Sequence, residues 1–303
     1  MKQKVLALVL VVTLCAALTP VLAAPLTEPA GAPVCDHYDL ETCRGTSPGG
    51  QLTATDPEGD PVTFRLTTEP MKGTVTIDQS GAFVYTPAEG KKGKDYFGFK
   101  ATDADGNESD EETVIITIRK AKHAPAYADM TGRAEAYAAA RLAELGVYSG
   151  VTVAGTALFR PDAPVTRETF LAMCLAAAGE SVLQDVRATG FADDSAISAW
   201  SRGYVSTGVL TGSVEGYATG TAVVFQPGQN VTRAEAAVML DRLLSQETEV
   251  EAAAVDLPDA VPAWAAQSVA RLTQASVYPK GADPDAPLTM AEAAQMLVNA
   301  IDR

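Results

Sequence analysis

The sequence predicts a multidomain protein in which an all-β sandwich is followed by an all-α region of three repeated modules. The first observation is a change in hydrophobic periodicity, from period two up to about Arg119 to period 3.6 from Tyr127 onward. The second is an internal repeat in the second half of the chain. A chain of 303 residues is long enough to hold both regions.

Residues 35–119 alternate apolar and polar side chains in short runs. Val62, Phe64 and Leu66 form one such run, and turn signals such as PEGD, QSG and DADGN separate the runs. Short alternating strands between turns rich in Gly, Pro and Asp are typical of a β-sandwich.

The strands and turns also resemble a known family. LTATDPEGDPVTF, GTVTIDQSGAFVYTP and GKDYFGFKATDADGNES are similar to the bacterial cadherin-like and immunoglobulin-like modules of secreted surface proteins. The resemblance covers most of residues 33–118.

The first residues predict export. Two lysines precede an apolar stretch from Val5 to Leu18, and a small-residue cleavage site follows at Ala23. We therefore expect a signal peptide over residues 1–23 and a linker over residues 24–34. No later segment is expected to span a membrane once the signal peptide is removed.

Cleavage would leave three cysteines, of which Cys35 and Cys43 are the close pair. Export would permit a disulfide between them. The alternative is that CDHYDLETC forms an extended edge strand, which would hold the two sulfurs beyond bonding reach. Cys174 lies in an apolar helical run and is expected to be a buried small hydrophobe.

The repeat is marked by three threonines, Thr166, Thr232 and Thr289, each of which opens an apolar helix. The repeated unit is F-x-D, a tryptophan-led helix, G-V-x-x-G, F-x-P, and then T-R-A-E at the start of a second helix. Thr and Glu three residues apart form a capping box. After a hinge at residues 120–126, we assign the three units to residues 127–180, 188–246 and 254–303.

This ordered set of motifs is similar to the S-layer homology (SLH) module, in three tandem copies. SLH triplets anchor exported proteins non-covalently to the secondary polysaccharide of Gram-positive cell walls. The resemblance implies packing around a pseudo-threefold axis. It also implies that acidic, commonly pyruvylated, sugars bind in the grooves between modules, with the arginine of T-R-A-E contacting the ligand.

On this resemblance Arg167 and Arg233 are the ligand-binding arginines. A helix cap does not require an arginine at either position, and a guanidinium offers a fixed set of donors that matches a carboxylate. At the first position of a helix it also lies beside free backbone amides.

Gly150 and Gly212 have two open roles, as sites where a sugar approaches the backbone or as helix C-caps. Trp200 and Trp264 are either core residues or platforms beside a groove.

The three copies are uneven. Ala134 stands where the first unit would carry its tryptophan, and Met290 stands where the third would carry its arginine. The second unit is expected to lack about one helical turn between Trp200 and Gly208. We therefore expect one weak or inactive groove.

Two acidic turns have the spacing of a calcium loop. Oxygen side chains fall on alternating residues, as hard-cation loops require, but Asp, Gly and Asn are also the ordinary residues of tight turns. A structural calcium ion and a purely structural turn are both open, and no other cofactor is expected. The residues concerned are Asp56, Glu58, Asp60, Asp103, Asp105 and Asn107.

Composition argues against several classes of function. A net charge of −15 does not suit a nucleic-acid or anionic-membrane partner. The two histidines, His37 and His123, lie in no motif that pairs a base with a nucleophile, so no enzyme is expected.

The sequence therefore predicts a non-enzymatic cell-surface protein, anchored to wall polysaccharide and displaying a sandwich. One alternative is an adhesin whose sandwich binds a protein or host glycan while the triplet serves only as a tether. A weaker alternative is an accessory subunit of a wall-remodelling enzyme.

Overall fold

The computed structural model describes residues 31–120, 125–244, 260–279 and 281–302. The predicted signal peptide lies outside the described residues, as do parts of the predicted hinge and of the third unit. Within the described ranges, no helix is long and apolar enough to cross a membrane.

The N-terminal region is built from strands in two main sheets and one short pair. A four-stranded sheet has the order β2-β9-β8-β5, a three-stranded sheet has the order β3-β7-β6, and β1 pairs with β4. Strand β2 runs parallel to β9, and the other pairs in these sheets are antiparallel. The strands are β1 (Val34–Cys35), β2 (Tyr38–Cys43), β3 (Gly49–Gln51), β4 (Ala54–Thr55), β5 (Thr63–Thr68), β6 (Gly73–Ile77), β7 (Ala82–Pro87), β8 (Gly93–Thr102) and β9 (Glu112–Arg119).

Alternate residues of these strands form one apolar core. Phe97 and Phe99 on β8 and Val114 and Ile116 on β9 are fully buried, and they belong to one cluster with Phe83 on β7. Period-two alternation places every second side chain on the same face of a strand. The prediction of an all-β, sandwich-like N-terminal region is confirmed.

The predicted alternative of a Cys35–Cys43 disulfide is wrong in this structure, because both thiols are free. Strand β2 is extended and lies at the edge of its sheet, which carries Cys43 away from Cys35. The sulfur of Cys35 lies 3.2 Å from Ser109 Oγ instead. Cys174 is buried in a helix, as expected.

The C-terminal region contains three helix pairs among its described residues. In the first two pairs, a two-stranded hairpin lies between the helices. The elements are α1 (Ala136–Glu144), β10 (Val151–Val153), β11 (Thr156–Leu158), α2 (Arg167–Ala177), α3 (Arg202–Leu210), β12 (Tyr217–Thr219), β13 (Ala222–Val224), α4 (Arg233–Leu244), α5 (Ala266–Gln274) and α6 (Met290–Ile301).

The second helix of each pair packs against the first helix of the next pair. Helix α2 packs against α3, and α4 packs against α5. Helix α6, at the end of the described chain, packs against α1 and so returns to the beginning. Buried or half-buried carboxylates hold these contacts: Ser268 Oγ donates to Asp241 Oδ2 at 2.8 Å between α5 and α4, and Tyr137 OH donates to Asp302 at 3.0 Å between α1 and the end of α6.

The loops that lead into α2, α4 and α6 meet in a cycle of backbone hydrogen bonds. The amide of Val165 donates to Leu288 O, that of Leu288 to Val231 O, and that of Val231 to Val165 O, each at 2.9 Å. All three side chains are buried. The three second helices therefore begin around one common point.

Candidate ligand-binding cleft

A cleft of about 310 Å³ lies between parts of three helix pairs. Arg167 comes from the start of α2, Tyr217 from β12, Glu235 and Arg242 from α4, and Trp264 from the segment before α5. These residues are far apart in the chain, so only the cyclic packing of the helices brings them together.

Arg167 lies at the bottom of this cleft and is 6% exposed. Its Nη1 donates to Tyr217 OH at 2.9 Å, and its Nη2 donates to Glu215 O at 2.8 Å. Its guanidinium carbon lies 4.7 Å from the centroid of the Tyr217 ring and 5.3 Å from that of Phe225, within cation–π range. In the described part of the chain, its Nε has no hydrogen-bond partner.

The charge of Arg167 is only partly compensated. Burial lowers its pKa, and Tyr217 and Glu235 act in the opposite direction. Tyr217 OH donates to Glu235 Oε1, so the carboxylate reaches Arg167 through a neutral hydroxyl. Burial, and then this hydrogen bond, raises the pKa of Tyr217 to about 12. A buried cation with neutral acceptors is unfavourable by itself, and an anion in the cleft would relieve it.

Trp264 lies on the rim of the cleft and is 61% exposed. Trp200 is 55% exposed and meets Tyr204 edge-on, with ring centroids 6.2 Å apart, but it does not line this cleft. The alternative that either tryptophan is a core residue is therefore wrong. An exposed indole beside a buried arginine suits the ring of a sugar with an acidic substituent.

Arg233 lies in a different environment from Arg167. Its Nε and Nη2 donate to Glu292 Oε1 at 3.1 and 2.6 Å, and its Nη1 donates to Asp283 O at 3.1 Å. Glu292 also accepts the amide hydrogen of Thr289 at 2.9 Å in the capping box of α6. Burial acts to raise the pKa of Glu292, but the bonds from Arg233 and Thr289 lower it. The ion pair compensates the charge of Arg233.

The two glycines have different structural roles. Gly212 follows Thr211, the C-cap residue of α3, and has φ 71°, the left-handed conformation common just after a helix C-cap; a Cβ there would meet no atom within 4 Å. Gly150 has φ 67°, and a Cβ there would lie 2.4 Å from Leu158 O. Gly150 is thus required by the hairpin that follows it, and neither glycine lines the Arg167 cleft.

The expected loss of a helical turn in the second pair is wrong. Gly146, Gly212 and Ser276 each stand twelve residues after the tryptophan position, and each is left-handed, with φ of 72°, 71° and 55°. The glycine that corresponds to Gly150 is therefore Gly216. The G-V-x-x-G pattern beginning at Gly208 lies four residues too early.

The acidic turns engage their own backbones. Asp56 Oδ1 accepts the amides of Glu58 and Asp60, at 3.1 and 2.8 Å. Asp103 Oδ1 accepts the amide of Asn107 at 2.8 Å. Among the described residues, no group of three or more His, Cys, Asp or Glu side chains has the geometry to hold a metal ion. These bonds support the structural turns, but Asp56 Oδ2 is buried without a hydrogen-bond partner among the described residues, so a calcium ion here stays a prediction.

Tyr217 and Arg242 were not predicted from the sequence as residues of the cleft. A pattern that could have indicated Arg242 is present, since Glu235, Met239 and Arg242 follow helical spacing and share one face of α4. No sequence pattern indicates Tyr217, because the equivalent position in the first hairpin is occupied by Val151.

Family models match two parts of the chain. The model of the bacterial cadherin-like domain matches residues 30–120, and that of the S-layer homology domain matches residues 190–237. The first match covers the β region, and the second covers α3, its hairpin and the start of α4. A comparison with curated proteins finds no match.

Three solved structures illustrate the partial similarity to known folds. An endo-fucoidan hydrolase of glycoside hydrolase family 107 is 23% identical over 30% of this chain and 14% of its own length, with a TM-score of 0.25. The SrpA adhesin of Streptococcus sanguinis is 17% identical over 31% of this chain and 60% of its own, with a TM-score of 0.24. Human protocadherin-24 is 15% identical over 32% and 49%, with a TM-score of 0.26. These scores carry no functional argument.

Proposed function

We propose that this protein is an exported, non-enzymatic surface protein whose helical region is a triplet of SLH modules bound to secondary cell-wall polysaccharide. The observation that carries the proposal is the Arg167 cleft, in which a buried guanidinium lies below an exposed tryptophan. SLH domains bind wall polysaccharide in general, and the SLH match indicates association with the cell surface.

A pseudo-threefold triplet is supported by two features of the helical region. The cycle of hydrogen bonds among Val165, Val231 and Leu288 uses the same atoms in the same direction at each step. The packing of α2 on α3, α4 on α5 and α6 on α1 follows the same cyclic order. On this support we propose the same architecture for the first and third modules, which lie outside the matched residues.

The cyclic order defines three grooves, and they are not equivalent. The first combines Arg167 with Glu235, Arg242 and Trp264. By position in the modules, the second combines Arg233 with Glu292, Asn299 and Ala134, and the third combines Met290 with Thr169, Ala176 and Trp200. We infer that the first groove carries most of the affinity, since it alone combines the arginine whose charge is not fully compensated with a tryptophan.

The ligand of this groove is an acidic sugar, such as a pyruvylated one. A carboxylate would accept from the Arg167 guanidinium, the strongest pairing available to a buried arginine. Trp264 would cover a face of the sugar ring, and Arg242, paired with Glu215 at 3.3 Å, lies at the rim beside it. The net negative charge of the chain does not oppose this, because affinity depends on the local field in the cleft.

The proposal is tested by sedimentation with purified Gram-positive cell walls. The mature protein should pellet with intact walls and stay in the supernatant after the walls are stripped of non-peptidoglycan polymers by acid. A soluble pyruvylated disaccharide should compete with the walls. Equal pelleting on stripped walls would contradict polysaccharide as the ligand.

A matched pair of tryptophan variants locates the site. Trp264→Ala should weaken wall retention by about tenfold, as removal of a central aromatic contact does. Trp200→Ala removes an equally exposed indole outside the Arg167 cleft and should leave retention near that of the parent protein. Equal losses in the two variants would show that the cleft is not the site.

A second candidate function is adhesion through the sandwich, with the triplet as its tether. The match to bacterial cadherin-like domains favours a binding role for this region. Retention of the whole protein on host glycan or protein arrays, unaffected by a soluble wall sugar, would support this second function.

A further inference from the structure

The sandwich is in direct contact with the helical region through its backbone. The amide of Gly49 donates to Arg133 O at 3.1 Å, and the amide of Gly132 donates to Ser47 O at 2.7 Å. A Cβ on Gly49 would lie 1.9 Å from Gly132 O, so the two backbone segments approach as closely as glycine permits.

The contact continues into the apolar core. Cys43, at the end of β2, is 1% exposed and belongs to the core cluster of the helical region, whereas the neighbouring strand residues belong to the cluster of the sandwich. Burial, and then the nearby Glu144 carboxylate of α1, raises the pKa of Cys43 to about 11. A side chain of one domain thus completes the core of the other.

The sandwich meets the helical region beside α6 and the segment that precedes α1. Between β2 and the helices is a space of about 560 Å³ lined by Glu41 and Arg119 of the sandwich, by Ala134, and by Gln295 and Asn299 of α6. Gln295 and Asn299 stand six and ten residues after Thr289. Residues at the same distances after Thr232, Val238 and Arg242, line the Arg167 cleft.

Ala134 occupies the position that carries Trp264 in the Arg167 cleft. Its neighbours Gly132 and Arg133 are hydrogen-bonded to the sandwich. An indole at this position would project into the space that β2 covers. We expect an indole there to crowd the β2 residues that line this space, so the missing tryptophan favours the docked sandwich.

We infer that the groove between the third and first helix pairs is an intramolecular docking surface, and that its partner is the edge of the chain's own sandwich at β2, together with Arg119 at the end of β9. The sandwich covers the groove that a wall sugar would otherwise enter. It is therefore held in a fixed orientation on the helical region, instead of swinging on the hinge. The docking itself does not depend on the proposed wall-binding function.

The accessibility of Cys43 in the full mature chain tests this inference. A bulky maleimide should label Cys43 slowly in the parent protein, and Gly49→Ala should speed its labelling by about tenfold or more, because the added Cβ meets Gly132 O. Gly228→Ala is the matched control, since a Cβ there meets no atom within 4 Å. Peptide mass spectrometry separates Cys43 from Cys174, whose labelling should stay slow in all variants.

A second variant approaches the same contact from the helical side. Ala134→Trp should expose Cys43 to the same extent and increase the radius of gyration measured by X-ray scattering. Rapid labelling of Cys43 in the parent protein would overturn the inference, as would equal protection of Cys43 in Gly49→Ala, Ala134→Trp and Gly228→Ala. Because neither readout involves the cell wall, their failure is distinguishable from failure of wall binding.

Discussion

At the scale of single residues, the two arginines that follow the helix-opening threonines have the same sequence position but different electrostatic surroundings. Arg167 donates to a tyrosine and a carbonyl, whereas Arg233 pairs directly with Glu292. The sequence predicts that neither arginine is needed for a cap, and that holds for both. It could not predict that only one would have its charge compensated, because the deciding contacts come from neighbouring helix pairs.

The contribution of Glu292 to the stability of the folded protein should depend on pH. Its pKa in the folded protein lies below the ordinary 4.5, so its charged form stabilises the fold above about pH 4.5 and the contribution is lost as the pH falls through the lowered value. Glu292→Gln should lower stability at pH 7 by about 1–2 kcal/mol, since the carboxylate serves both an ion pair and a cap. The difference between parent and variant should shrink in acid.

Thermal unfolding between pH 3 and 7 checks this dependence. Glu89→Gln, which removes an exposed carboxylate, should change stability little at any pH. A Glu292→Gln deficit that is constant down to pH 3 would contradict the assigned role.

At the scale of elements, the spacing that recurs between the repeated units has a local physical cause. Asp129 of the first F-x-D motif accepts the amides of Phe159 and Arg160 at 2.9 and 2.8 Å, and Asp193 accepts the equivalent amides in the second pair. Arg160 has φ 61°, so the carboxylate holds a left-handed residue in place before the proline. Asp259, the third copy of this aspartate, lies outside the described residues.

The helix starts differ in a way that sequence shows only partly. Thr289 and Glu292 form a complete capping box, whereas Thr166 makes no side-chain bond to its helix amides and meets Thr169 Oγ1 at 2.8 Å instead. Thr166 therefore opens α2, as expected, but does not cap it through its side chain. The cause is visible in the sequence, because Thr169 stands where a capping box needs Glu or Gln.

Paired threonine substitutions test this assignment. Thr289→Ala should destabilise the protein by about 1 kcal/mol, the usual effect of losing an N-cap side chain. Thr166→Ala should destabilise it by clearly less. Urea unfolding of the two variants measures the difference, and a larger loss at Thr166 would contradict the assigned caps.

At the scale of the whole molecule, the change from period two to period 3.6 predicted the order of an all-β and a helical region, and the repeated threonines marked the three second helices. The register of the second pair was predicted wrongly. Gly208 lies inside α3, where a Cβ would come within 2.7 Å of Val214 and 3.0 Å of Leu171, so this glycine serves helix packing and not a helix end. A local G-V pattern cannot distinguish these two uses of glycine.

Neither the docking of the sandwich nor the Arg167 cleft could be predicted from the sequence, and the reason is the same for both. Both are formed by residues from three parts of the chain, and cyclic packing alone defines which parts meet. Met290 and Ala134 were recognised as departures from the repeat. Their consequence, three grooves with different contents, follows only once the order of packing is known.

The most direct test of the central claim is the affinity of the mature protein for a wall polysaccharide fragment, measured by calorimetry for Arg167→Ala and Arg233→Ala. Loss of a charged hydrogen-bond donor to a carboxylate weakens binding by about 1.5–3 kcal/mol, or roughly tenfold to a hundredfold. We predict that loss for Arg167→Ala and a much smaller one for Arg233→Ala, with circular dichroism confirming that both variants fold. Unchanged affinity in Arg167→Ala, or an equal loss in both variants, would contradict the assignment of binding to the Arg167 cleft.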